Sequence, residues 1–132
     1  MKEILVETKR KEELIDITIL IEKVLEKVEI KEGIVHLFCP HTTCGLTINE
    51  NADENLREDI SNFLNSLVRK GIWLHDKIDS NSDAHIKTSL IGNSLTIPFE
   101  KGKLILGTWQ NLFLCEFDGP RKRKILVSVL EN

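Results

Sequence analysis

Three of the chain's four histidines stand among small polar and acidic residues: His41 in PHTTCG, His75 in WLHDK and His85 in SNSDAH. Imidazole is the commonest protein metal ligand and the commonest acid or base near neutral pH, and a catalytic zinc site uses three protein ligands and one open position. His41, His75 and His85 are therefore the candidate set for a divalent metal ion. Asp76 and Asp83, beside the second and third of them, could orient an imidazole or exchange protons themselves. His36 differs, because it alternates with Val35 and Leu37 in a strand pattern and reads as a solvent-facing side chain.

Other candidates stand on their surroundings. Glu116 lies between Cys115 and Phe117 in an apolar run, where a carboxylate must face solvent, meet a base or belong to a site. Asn49 ends a strand pattern before a helix, so it either caps that helix or reaches the cleft of His41. Thr42 and Thr43 extend the polar corner after Pro40 and are candidate substrate contacts. Trp109 in GTWQ is either core or a wall for a substrate ring, and Arg121 after Gly119-Pro120 is either an anion contact or a solvated strand end. Cys44 has no orienting third group and reads as a small buried side chain. No Walker loop, GxGxxG, HExxH, GxSxG or EF-hand pattern is present.

The elements that must position these residues follow from periodicity. Strand patterns occupy residues 3–8, about 14–17, 34–39, 44–49, 94–99, 104–106, 109–117 and 124–130. Helical periods run from Ile17 to Val28 and from Leu56 to Leu67, the second opened by Asn51-Ala-Asp-Glu54, a capping-box pattern. The polar stretch 72–83 is a long connection, and Ser82 or Asp83 can cap a short helix, Ala84 to Ile91. About three helices among more numerous strands make an α+β fold, and with no repeat or linker the 132 residues are expected to form one domain, 1–132. A net charge of −3 argues against nucleic acid as a partner. Three cysteines without a CxxC pair favour a reducing compartment, and no run is long and apolar enough for a membrane span, so a cytoplasmic location is expected.

PHTTCGLTINENAD from Pro40, NSDAHIKTSLIGNSLTIP from Asn81 and GKLILGTWQNLFLCEFDGPR from Gly102 together resemble the YjbQ family, over nearly the whole chain. The resemblance implies a small α+β sandwich of mixed or antiparallel sheets, a homotrimer, and a polar pocket near subunit contacts. Its motif histidines match His41, His75 and His85, and its acidic position matches Glu116. The chain departs from the family at Cys44, where Ala or Ser is common, and at Trp73, where Tyr is usual. The implied activity is that of a thiamine-phosphate synthase, a transferase that joins a pyrimidine diphosphate to a thiazole phosphate and releases pyrophosphate. A departing diphosphate calls for a cation; three histidines suit Zn²⁺, whereas Mg²⁺ prefers oxygen ligands. The alternatives are a metal-dependent hydrolase of a phosphorylated or acyl substrate, and a module that binds a small molecule or metal without turnover.

Overall fold

In the computed structural model, which describes residues 1–132, the order is β1 (Lys2–Glu7), β2 (Glu13–Asp16), α1 (Thr18–Glu26), β3 (Glu32–Phe38), β4 (Cys44–Asn49) and α2 (Glu54–Leu67). A 3-10 turn, Leu74–Lys77, then precedes α3 (Ser82–Ile91), β5 (Ser94–Glu100), β6 (Lys103–Leu104), β7 (Asn111–Glu116) and β8 (Lys122–Glu131). Two antiparallel sheets result, one ordered β1-β8-β3-β5-β6 and the other β2-β7-β4.

Strand alternation sets the layers. Val35 and Leu37 of β3, Ile125 and Val127 of β8, and Ile97 and Phe99 of β5 face Leu46 of β4 and Leu112 and Leu114 of β7, with Ile21 and Leu25 of α1 closing the same core. The intervening β7 residues, Phe113 and Cys115, point to the opposite face and pack with Leu64 of α2 and Ala84 of α3. β7 is thus buried on both sides, which is why its sequence, NLFLCE, is apolar almost throughout.

The helix starts differ in detail from the sequence patterns. Asp53, not Asn51, caps α2 by accepting the Asn55 N–H at 2.9 Å, while Asn51 donates to Asp16 at 2.7 Å. Asp16 also accepts the Thr18 N–H at 2.9 Å, so one carboxylate serves the start of α1 and the approach to α2. Ser82 and Asp83 do not cap α3: both lie inside its first turn, and Asp83 faces inward to Lys87 at 3.5 Å. Trp109 lies outside β7, and Phe63 and Leu67 of the expected buried face of α2 are exposed.

Two glycines bring the chain close where the site is built. A Cβ on Gly45 would lie 2.5 Å from the Gly92 carbonyl oxygen, and one on Gly119 would lie 2.2 Å from that of Arg10. Both distances are inside contact range, so only glycine lets β4 meet the end of α3 and the 118–121 bend meet the loop after β1.

Candidate functional site

Glu116 ends β7, opposite Cys44 of β4 and Glu13 of β2, and its side chain is fully buried. It accepts from Arg123 Nε at 2.7 Å and from Arg123 Nη2, from Thr8 Oγ1 at 2.9 Å and from the Asp118 N–H at 3.0 Å. Burial pushes its carboxyl up, but the guanidinium, the amide and the hydroxyl outweigh burial and hold it below the usual glutamate range. Arg123 also donates to Thr43 Oγ1 at 2.8 Å. An ionised, donor-saturated and enclosed carboxylate is an anchor beneath the site: of the alternatives its sequence position left open, Glu116 meets a base, Arg123.

Above this anchor a cleft of about 400 Å³ opens, lined entirely by non-hydrophobic residues, among them His41, Thr42, His85, Asp118 and Arg121. Asp118 is the hub: its oxygens meet Lys11 at 2.5 Å, Asn81 at 2.9 Å and Arg121 at 3.0 Å. Burial raises its carboxyl, yet those three donors bring it down to about 2. Arg121 also donates from Nε to the Asp118 carbonyl at 2.7 Å, which fixes the guanidinium while about half of the side chain stays exposed. Neither Asp118, Asn81, Asp79 nor Arg123 was singled out by the sequence, although DGPR and SDAH border them.

His41 sits on the loop between β3 and β4. Asn93 holds that loop, its side-chain amide donating to the His41 carbonyl at 2.9 Å and to the Cys39 and Cys44 carbonyls at 3.3 Å. The Lys124 N–H donates to His41 Nε2 at 3.0 Å, so the neutral ring carries its proton on Nδ1. Burial, helped by the charge of Arg123, pulls the His41 pKa below the usual histidine value.

His75 and His85 meet edge to face, ring centroids 4.9 Å apart, and Asp79 Oδ2 lies 3.6 Å from His75 Nε2. Within one chain the three imidazoles are not grouped as a metal centre. No three His, Cys, Asp or Glu side chains are grouped closely enough to hold an ion, and His41 Nε2 is already an acceptor for a backbone N–H. Asp76 is likewise engaged: its oxygens accept the Trp73 N–H at 3.1 Å and the Ser82 N–H at 3.0 Å, and those amides hold its carboxyl below the usual range. It ties the 3-10 turn to the start of α3 and thereby places His75 beside His85.

Asn49 and Trp109 lie elsewhere. Asn49 pairs with Asn111 at the far end of β4, five residues from Cys44 and so about 17 Å away along the strand. Its side chain accepts the Glu50 N–H at 2.8 Å, and Trp109, 63% exposed, precedes Asn111 at that same far end. A larger groove of about 760 Å³ runs between the loop after β1 and α2; within its lining Glu12 pairs with Lys70 at 2.9 Å, and none of the candidate residues lines it.

The fold and cleft define an α+β two-sheet domain with a polar pocket at one end of its smaller sheet. The chain belongs to the family described as UPF0047 protein YjbQ-like, whose profile matches residues 2–132. It is 48% identical over 125 residues to UPF0047 protein MJ1081 of Methanocaldococcus jannaschii, covering 95% of this chain and 90% of that protein. It is 38% identical to UPF0047 protein YugU of Bacillus subtilis, with 98% of each covered. A solved YbjQ-like protein of unknown function from Sulfolobus solfataricus superposes with a TM-score of 0.93 at 40% identity, over 99% of this chain and 96% of that one. A solved YjbQ/UPF0047 protein from Clostridium acetobutylicum does so with a TM-score of 0.93 at 44% identity, over 98% and 100%.

Proposed function

We propose that the chain is an enzyme acting on a phosphorylated small molecule in the polar cleft, and that its reaction is transfer of the thiamine-phosphate synthase kind. The observation that carries the reading is the composition of the cleft: Arg121 is pinned with half its side chain exposed, beside His41 and His85, with no hydrophobic residue in the lining. Such a site suits a diphosphate, whose charge it would meet with fixed donors. In the reaction the thiazole ring nitrogen forms a bond to the pyrimidine's methylene carbon, the carbon–oxygen bond to the diphosphate breaks, and pyrophosphate leaves with that electron pair. Arg121 would hold the departing charge. His41, neutral and fixed by Lys124, would donate from Nδ1, and His85, in the same lining, would donate a hydrogen bond. Thr42, in the same lining, would add a hydroxyl contact. The proposal includes self-association as a homotrimer.

Metal-dependent hydrolysis is the second reading, favoured by one observation: His75 Nε2 is buried without a hydrogen-bond partner beside His85. A Zn²⁺ or Mg²⁺ ion there would need a further donor from substrate or from another copy.

The test is turnover of pyrimidine diphosphate with and without thiazole phosphate, following thiamine phosphate and pyrophosphate separately. The transferase reading expects both products only when both substrates are present, with kcat/KM about a hundredfold lower for Arg121→Gln. Pyrophosphate release that needs only water moves the assignment to a hydrolase. Binding without any product makes the chain a binding module.

A further inference from the structure

Beside the polar cleft a second cavity, of about 430 Å³, opens between the 3-10 turn and the first turn of α3. Its walls are different in kind: Trp73, Leu74 and Ile86 join His75, His85 and Ser82. His85 lines both cavities, and Asp79, which lines the polar one, stands 3.6 Å from His75 of the other. One imidazole therefore separates an apolar compartment from an anion-suited one.

Two details narrow what the apolar compartment takes. The Trp73 indole N–H donates to the Arg69 carbonyl at 2.6 Å, and its backbone N–H donates to Asp76, so the ring is immobilised and its only side-chain donor is used. What remains for a guest is the aromatic surface. In addition, Ser82 Oγ is buried without a hydrogen-bond partner, whereas His75 Nε2 faces Asp79 Oδ2 at 3.6 Å. An orphaned polar atom in a buried wall is costly, and a hydrocarbon guest would leave it orphaned. A heteroaromatic ring would pack on Trp73 and pair an edge atom with Ser82.

We propose that this cavity is the ring subsite of the same site: it holds a flat heteroaromatic ring against Trp73, edge-bonded to Ser82, whose phosphate-bearing arm passes His85 into the polar cleft. The inference rests on the phosphate reading of that cleft and assigns recognition of the ring to residues outside it.

The chain has two tryptophans, so Trp109→Phe makes Trp73 the sole indole reporter. In that background pyridoxine 5′-phosphate is expected to quench the fluorescence and to bind at least tenfold more tightly than glycerol 3-phosphate. By calorimetry, Trp73→Ala should erase that preference while pyrophosphate affinity stays unchanged, and Trp73→Tyr should retain most of it. Ser82→Ala should weaken pyridoxine 5′-phosphate more than benzyl phosphate, which lacks ring heteroatoms. Equal affinities for the aromatic and aliphatic phosphates, with pyrophosphate still bound, would overturn the ring subsite alone. Failure of pyrophosphate itself to bind would overturn the phosphate reading, and the ring subsite with it.

Discussion

Glu116 and Arg121 are five residues apart, and the structure gives them opposite work. Glu116 neutralises Arg123, whose guanidinium is almost wholly buried; Arg121 leaves half its side chain in the cleft. Glu116→Gln leaves a buried cation without its partner, so urea unfolding should show a loss of about 3–5 kcal/mol. Arg121→Gln should stay within about 1 kcal/mol of the parent by the same method, because its pair with Asp118 is half-exposed, while anion affinity falls. His41 supplies a pH-dependent observable. Its folded pKa is lowered, so the neutral ring is favoured in the native state; its contribution to stability is complete above the ordinary value near 6.5 and is lost as pH falls through and below it. Imidazole proton resonances should give a His41 midpoint below 6.5, and a midpoint at or above it would contradict the burial and the Arg123 charge that lower it.

At the scale of elements, the cleft depends on one side chain that no sequence pattern marks. Asn93 bridges three carbonyls across the His41 loop, and Asn93→Ala would leave those acceptors without their donor. We expect a cost of about 1–3 kcal/mol in thermal or urea unfolding, with faster amide exchange confined to residues 39–44. The sequence made β3 and β4 legible because their apolar residues lie on buried faces, whereas the apolar period of α2 located the helix although only Leu64 of that stripe is buried. Register was not legible: nothing in CGLTIN tells which end of β4 joins the cleft, and so Asn49 was expected there although it pairs with Asn111 at the other end. At Glu116 the apolar run left several readings open, an ion pair among them. An acidic residue in an apolar run signals either a site or an ion pair, and only the return of β8 brings Arg123 beneath it. His41, His85, Thr42 and Arg121, by contrast, were legible from local polarity, and one cleft contains them all.

The whole molecule carries several carboxylates shifted in one direction. Asp118 lies at about 2, and Glu12, Asp76 and Glu116 also lie below their ordinary values. Depressed carboxylates stabilise the native state above their unfolded pKa values, and that stability disappears as pH falls through the folded ones. Urea midpoints should therefore drop between about pH 4 and 2, beyond the smaller loss that His41 contributes below about 6.5, and Asp118→Asn should lower the neutral-pH stability and shallow the acid drop. No helix is long and apolar enough to cross a membrane. Phe38 and Leu130 of the larger sheet and Phe63 and Leu67 of α2 are exposed apolar side chains, and the trimer proposal expects such surface to be covered. Sedimentation at micromolar concentration should give the mass of three chains; a single-chain mass would remove that part of the proposal. Transfer chemistry and the ring subsite both require the cleft at one end of the smaller sheet to bind a phosphate group. Calorimetric titration of pyrophosphate into the wild-type protein at pH 7 should show one site per chain, weakened at least tenfold by Arg121→Gln and by His85→Ala. Absence of binding, or equal affinity in the variants, would contradict it.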